Sequence, residues 1–219
     1  MADVDTTLLG RTQYLSAQFE SVAQRLRQTV DTRVFFVYAH GYITRKIGEH
    51  IDLFTKPNPL MRLNDQFATT FLAAINGAPH DGWQKAFRVC AGVDTPLKAG
   101  FVEFAMFSTG SFELCGACMA KIHIQRDLRA ALNMVRDVDA QDYGNVLIFV
   151  TEGHLWAERM VRGQLAATLS MLGQVPIMDK LKMNAKVWRN QVFEEVYGTT
   201  VPEPSKSFTE AYQHAEGRT

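Results

Sequence analysis

Apolar residues recur at steps of three and four positions along most of the chain, and this is the period of an amphipathic α-helix. A clear example is the stripe that runs from Leu15 through Phe19 to Leu26. The pattern predicts helices over about 11–29, 31–54, 60–75, 83–90, 112–138, 142–172 and 179–197. The predicted helix over 142–172 contains Gly153 and Gly163, and we expect an interruption or kink near one of them.

Turn and breaker residues separate these segments. The prolines of TKPNP (55–59) interrupt the pattern because proline cannot continue the helical hydrogen-bond ladder, and Asn76-Gly77 marks the next turn. Residues 92–100 are predicted to form a loop, and residues 101–107 fit either a short helix or a strand. Residues 201–219 are polar and contain prolines, which predicts an extended or partly ordered tail.

No repeat or low-complexity segment divides the 219 residues. A chain of this length is long enough to form one sizeable hydrophobic core. The sequence therefore predicts an all-α, single-domain helical bundle of about six to eight helices over residues 1–200, with the tail over 201–219 outside it.

Composition and charge narrow the classes of partner. Lys plus Arg and Asp plus Glu both number 23, and without a basic excess or stripe we expect no nucleic-acid partner. No apolar run reaches about 18 residues, so no transmembrane segment is predicted. The N-terminus lacks a secretory pattern, and three cysteines (Cys90, Cys115 and Cys118) suit free thiols. These features predict a cytoplasmic protein.

The segment IHIQRDL (122–128) places His123 and Asp127 four positions apart, on one face of a predicted helix. A carboxylate beside an imidazole holds one tautomer and raises the basicity of the ring, which suits a general base or a metal ligand. The alternative is a half-buried histidine that is satisfied by its neighbouring aspartate and only stabilises the bundle.

The next predicted helix repeats this arrangement with His154 and Glu158 in TEGHLWAER. If the two helix faces meet, the two imidazoles and two carboxylates of the pairs form a set of ligands that Zn, Fe or Mn accepts. The metal alternative therefore uses His123, Asp127, His154 and Glu158. Equally, His154 and Glu158 fit an exposed ladder of ion pairs with Arg159 and Arg162.

His40 is a third candidate, because it lies in the most apolar predicted helix. Burial lowers the pKa of an imidazole, and a neutral His40 can exchange a proton near neutral pH. A buried histidine that is bonded to a backbone carbonyl is the simpler alternative. His50, His80 and His214 are expected at the surface, and CGAC (115–118) is assigned to packing, since no second Cys/His pair has zinc-site spacing.

Three stretches, YAHGYITRKI (38–47), LMRLNDQFATTF (60–71) and HIQRDLRAAL (123–132), resemble a family of helical proteins of bacteria and fungi that is described only as a domain of unknown function. The signature of that family is His-Ile-x-x-Asp-Leu, matched here by His123, Ile124, Asp127 and Leu128. The chain departs from the family at Asn64, where the family has Asp, and at Lys121 and Ile122, where it has Asn-Ala. The resemblance implies a helical fold and a paired His123 and Asp127, and it implies no activity.

Two functional hypotheses follow. The first is a small enzyme, an isomerase, cyclase or lyase of secondary metabolite biosynthesis, with a hydrophobic pocket in the bundle core. It acts on a small apolar metabolite through His123, Asp127, His40, His154 and Glu158, without a cofactor or with the metal named above. The second is a non-catalytic helical module that binds an apolar ligand or a protein partner through faces rich in Phe and Met. Both hypotheses are compatible with a homo-oligomer.

Overall fold

The computed structural model describes residues 4–29, 31, 33–98, 118–169 and 177–218, and the side chains of all these except 92–98, 158, 161–169 and 177–184. Its helices are α1 (Thr6–Gln28), α2 (Val34–Glu49), α3 (Pro57–Ile75), α4 (Asp81–Lys98), α5 (118–135), α6 (Ala140–Asn145), α7 (Leu147–Leu169), α8 (Ile177–Tyr197) and α9 (Lys206–Ala215). A 3₁₀ turn (Ile51–Leu53) follows α2, and no strand occurs in the described ranges. The all-α, single-domain bundle is confirmed.

Several helix boundaries differ from the predicted ones. Helix α1 begins at Thr6 because the side chain of Asp5 accepts hydrogen bonds from the backbone N–H groups of Thr7 and Leu8, which caps the helix. Helix α4 continues to Lys98, so the predicted loop is wrong for residues 92–98. A single glycine at position 92 lowers helix stability without ending the helix. The segment 101–107, predicted as helix or strand, lies outside the described residues.

Helix α2 lies at the centre of the bundle, between α1 on one side and α7 on the other. The α1 and α3 helices also pack against each other, so that Phe19, Phe36 and Phe71 meet around the buried face of α2. Phe19 and Phe71 are completely buried. The three rings of this aromatic cluster also pack against the imidazole of His40.

The interruption predicted within 142–172 falls at Val146, between α6 and α7, and not at either glycine. Gly153 instead allows α7 to approach α2 closely. A Cβ atom at this position would lie 2.9 Å from the carbonyl oxygen of Ala39 and 3.1 Å from Cγ1 of Ile43. The glycine therefore serves helix packing, which the spacing of residues within its own helix does not reveal.

The predicted extended tail is wrong for its second half, because residues Lys206–Ala215 form the helix α9. Ser205 caps this helix by accepting a hydrogen bond from the backbone N–H of Phe208. Phe208 and Tyr212, four positions apart, are both buried, and the ring of Phe208 packs against Phe54. Prolines precede the helix rather than interrupt it, so the proline content indicated only where the helix begins.

Two further observations concern membrane-spanning length and the cysteines. None of the described helices combines the length and the apolar character needed to cross a lipid bilayer. The prediction of free thiols is wrong for Cys90, which is disulfide-bonded, whereas Cys118 is a free thiol. The cysteines therefore give no argument for a reducing compartment.

Candidate functional site

A cavity of about 90 Å³ lies in the bundle core, between α2, α3, α5, α7 and α8. A single water molecule needs roughly 10–15 Å³ on this measure, so the cavity has room for a small ligand. Its wall is mostly hydrocarbon, as is usual for ligand sites. The polar residues in the wall are His40, Asn64, His123, Tyr143, His154 and Arg189.

His123 and Asp127 lie in a π-helical turn of α5, His123–Leu128. Nδ1 of His123 is 3.0 Å from Oδ2 of Asp127, and both residues are buried, at 1% and 4% exposure. The ring of Phe67 stacks on the imidazole of His123 with 3.5 Å between the ring centroids. The predicted pair is therefore present, and a π turn, which is rare in proteins and frequent at functional sites, holds it in place.

The carboxylate of Asp127 has two further partners that the sequence did not indicate. The indole Nε1 of Trp83 donates to Oδ2 over 2.9 Å, and Nε2 of His80 lies 3.0 Å from Oδ1. His80 was expected at the surface, but only 25% of its side chain is exposed. The turn that carries His80 contacts the middle of α5, and this long-range contact is not predicted by its own residues.

His40 reaches the same site from α2. Its Nε2 forms a short hydrogen bond with Nε2 of His123, and Phe19, Phe36, Phe67 and Phe71 surround its ring. His40 is 4% exposed, and its Nδ1 has no hydrogen-bond partner among the described residues. The structure thus brings together three of the five predicted residues, His40, His123 and Asp127, in one hydrogen-bonded row.

Hydrogen-bond complementarity assigns the protons in this row. An ionised Asp127 only accepts, so Nδ1 of His123 carries a proton and its Nε2 presents a lone pair. Nε2 of His40 then donates to that lone pair, which leaves Nδ1 of His40 unprotonated. The row therefore ends in a basic nitrogen on a side chain that forms part of the cavity wall.

The electrostatic environment agrees with this assignment. Burial lowers the pKa of His40 well below its ordinary value, and the neighbouring His123 and His154 lower it further. Burial also lowers the pKa of His123, although the bond with Asp127 opposes the shift. Burial alone would raise the pKa of Asp127, but hydrogen bonds from His123, His80 and Trp83 bring it below its usual range. Both imidazoles are therefore neutral and the carboxylate ionised at neutral pH.

His154, predicted as the partner of Glu158, is buried and forms another part of the cavity wall. Its Nδ1 donates to the carbonyl oxygen of Val150 over 2.6 Å, one turn earlier in α7. The side chain of Glu158 lies outside the described residues. The exposed ladder that was the alternative for this pair is wrong for His154, since the imidazole is 5% exposed.

Three polar residues of the cavity wall, Tyr143, Arg189 and Asn64, were missed at the level of sequence, and the last two carry a recognisable signal. Arg189 is 7% exposed and donates from Nη2 to the carbonyl oxygen of Tyr143 over 2.6 Å. Oδ1 of Asn64 accepts a hydrogen bond from Oγ1 of Thr44 over 3.2 Å. Both interrupt apolar helix stripes, in α8 beside Ala185 and Phe193 and in α3 between Leu60 and Phe71. A polar residue on an apolar stripe was the signal that could have identified them.

The metal prediction named His123, Asp127, His154 and Glu158. Among the described residues, the one group of three His, Cys, Asp or Glu side chains close enough to share an ion is Glu49, His50 and Glu216, and it contains none of these four. The amino group of Lys46 lies 2.9 Å from Glu49 and 2.7 Å from Glu216, so a protein cation already balances that cluster. His50, expected at the surface, is buried there at 8% exposure.

Comparison with known proteins gives no relative from which to transfer a function. No protein-family model matches the chain, and neither a curated protein nor a solved structure is similar to it. The resemblance to the family with the His-Ile-x-x-Asp-Leu signature stays a prediction. Any functional argument rests on the geometry of the site.

Proposed function

We propose that this protein is an enzyme that transfers protons within a small, mostly apolar metabolite, by isomerisation, cyclisation or dehydration. His40 is the general base and acid. His123 accepts the proton that His40 releases from its Nε2, and Asp127 orients His123. The observation that carries the proposal is the row from Asp127 through His123 to His40. It ends at a buried nitrogen that has no hydrogen-bond partner in the described part of the chain, on a side chain that lines the cavity.

The steps follow from the proton assignment. Nδ1 of His40 takes a proton from the substrate, and the proton on Nε2 of His40 moves to Nε2 of His123. The positive charge then lies on the imidazole that faces the carboxylate of Asp127, which stabilises it. The proton held on His40 exchanges with solvent, and reversal of these transfers then delivers a proton to a different atom of the same molecule. This gives an isomer, or an alkene and water if the proton goes to a departing hydroxyl group.

The apolar wall supports this role in a second way. Aliphatic and aromatic side chains form most of the cavity wall, and electrostatic interactions are stronger in such an apolar environment than in water. A histidine with a pKa below its ordinary value is unprotonated at neutral pH, so His40 begins each cycle ready to accept a proton.

Proton transfer to carbon leaves a label that does not require the substrate to be known in advance. We would incubate the purified protein with a metabolite extract in D₂O and follow deuterium incorporation by mass spectrometry. The wild-type protein is expected to add deuterium to at least one metabolite. His40→Gln is expected to lower the rate by about 10²–10⁴, the usual contribution of a positioned acid or base.

His214→Gln is the matched control, because His214 is exposed on α9 and distant in the fold from the row. It should retain the wild-type rate. If a folded His40→Gln protein labels the same metabolites at the same rate, or if the wild-type protein labels none, the proposal is wrong. Metal analysis of the same samples tests the metal-dependent alternative. A stoichiometric ion that is present in the wild-type protein and lost in His123→Ala would contradict the metal-free mechanism.

A further inference from the structure

Arg189 is a buried cation without a balancing anion among the described residues. Its guanidinium carbon lies 3.7 Å from the ring centroid of Tyr143, and its Nη2 donates to the backbone of the same residue. Its Nη1 is buried and has no hydrogen-bond partner within the described ranges. A buried charge without a counter-ion costs several kcal/mol, so a protein retains one where something compensates it.

Two further residues that line the cavity carry unsatisfied polar atoms. Within the described part of the chain, buried Nδ2 of Asn64 has no acceptor and buried Nδ1 of His40 has no donor. Together with Nη1 of Arg189, these atoms offer two hydrogen-bond donors, one basic nitrogen and one positive charge around an apolar space. Unsatisfied buried polar groups are few in a native protein, so their meeting in one cavity indicates a polar ligand.

We infer that the cavity binds an apolar monocarboxylate, with the carboxylate on Arg189 and Asn64 and the hydrocarbon part against the aliphatic wall. The inference rests on the proposed function in that this acid is its substrate class, since the carboxylate would hold the molecule with its hydrocarbon part toward His40. Arginine is the side chain best suited to this role, because its planar donors match the two oxygens of a carboxylate.

Charge balance favours a carboxylate over a phosphate. A carboxylate brings one negative charge, which the single guanidinium neutralises. A phosphate monoester brings nearly two charges at neutral pH, and the described part of the cavity wall supplies no second cation. The surplus charge would remain buried in hydrocarbon, which is unfavourable.

Calorimetric titration of the full chain tests the inference without any turnover. The probes are butyrate and hexanoate, each compared with the amide of the same length, and hexyl phosphate. We expect at least one of the two carboxylates to bind about tenfold or more tightly than its amide and than hexyl phosphate. Equal affinity for the acid and the amide would overturn the inference, and tighter binding of hexyl phosphate would overturn the choice of carboxylate.

Two substitutions at position 189 test whether the guanidinium causes the preference for the carboxylate. Arg189→Met removes the charge while keeping a long side chain, and it should abolish the preference for the acid over the amide. Arg189→Lys keeps the charge without the planar donors and should weaken carboxylate binding by about tenfold. If the methionine variant does not fold, the lysine variant still decides: unchanged carboxylate affinity in it contradicts a role for the guanidinium.

Lys186→Met is the matched control, since it removes a half-exposed cation, which pairs with Glu203, from the same helix. It should bind the carboxylates like the wild-type protein, and an equal loss in this variant would mean that the preference comes from general surface charge. The experiments can contradict the proposed enzyme function and the proposed carboxylate binding independently of each other. Selective carboxylate binding without deuterium labelling leaves a binding protein, whereas labelling that depends on His40 without acid preference leaves an enzyme for neutral metabolites.

Discussion

The carboxylate of Asp127 joins three separate parts of the chain. It accepts hydrogen bonds from His123 one turn earlier, from Trp83 in α4 and from His80 in the turn before α4. Three donors on one buried carboxylate fix its orientation and keep it ionised, because hydrogen bonds to the charged form lower the pKa. The tautomer of His123, and through it that of His40, depends on this one side chain.

Asp127→Asn tests this dependence. The amide keeps the size of the carboxylate but replaces one acceptor oxygen with a donor, which leaves at least one of the buried donors unsatisfied. We expect a loss of about 1–3 kcal/mol in the free energy of unfolding and a fall of about 10²–10⁴ in the rate of deuterium labelling, because the orienting charge is gone. Urea denaturation and the labelling assay measure the two effects.

Asp137→Asn is the control for this change, since Asp137 is 58% exposed and pairs with Arg62 at the surface. Its free energy of unfolding should change by less than about 1 kcal/mol. Nitrogen NMR of the histidine rings gives an independent readout. If Nδ1 of His123 remains protonated and Nε2 of His40 still donates in Asp127→Asn, then Asp127 does not set the tautomers.

At the scale of elements, the position of α7 against α2 decides which side chains surround the cavity. Gly153 lies where these helices are closest, and its missing side chain lets α7 pack directly on the backbone at Ala39. His40 is the next residue of α2, and His154 is the next residue of α7. The close approach of two backbones therefore places one histidine of each helix in the cavity wall.

Gly153→Ala should consequently be destabilising, although alanine is the better helix former. The added methyl would lie 2.9 Å from the carbonyl oxygen of Ala39, so the helices must move apart. We expect a loss of about 1–3 kcal/mol in the free energy of unfolding, the usual cost of overpacking. Thermal and urea denaturation measure it.

Gly10→Ala is the matched control, because an added methyl at this position in α1 would meet no atom within 4 Å. It should stabilise the protein by about 0.5–1 kcal/mol through helix propensity alone. A stabilising effect at Gly153 of the same size would show that α7 and α2 are not held at this distance.

For the whole molecule, the buried polar groups make stability depend on pH. The site holds His40 and His123 neutral in the folded protein, whereas both imidazoles protonate freely in the unfolded chain. The unfolded state therefore binds more protons at acidic pH, and the folded state loses stability as the pH falls below the ordinary histidine value near 6.5. The lowered pKa of Asp127 adds a further loss only below about pH 4.

We therefore expect the free energy of unfolding to fall between pH 7 and pH 5, by at most about 1.4 kcal/mol per pH unit for each histidine. Urea denaturation across this range measures the slope. The slope should become smaller in His40→Gln and in His123→Gln, because glutamine does not titrate. His214→Gln, at the exposed position, should leave it unchanged. A slope that is the same in all four proteins would contradict buried neutral imidazoles.

The C-terminal segment also packs against helices that are distant from it in the sequence. Tyr212 of α9 and Tyr42 of α2 both donate to the carboxylate of Glu152 in α7, and Arg218 pairs with it. The backbone at Pro202 passes so close to α6 that a side chain at Gly144 would overlap its carbonyl oxygen. The last residues therefore join the helices that form the cavity, although their composition alone is typical of a tail.

The sequence by itself determined the helical class and the spacing of His123 and Asp127, because both depend on residues a few positions apart in one helix. The family resemblance and the metal set remain untested predictions. Only the tertiary structure decided that His40 meets His123, that His80 and Trp83 bind Asp127, and that Arg189 lies in the cavity wall. These partners are 44 to 83 residues apart in three of the contacts, and the packing of whole helices, which no local pattern specifies, brings them together.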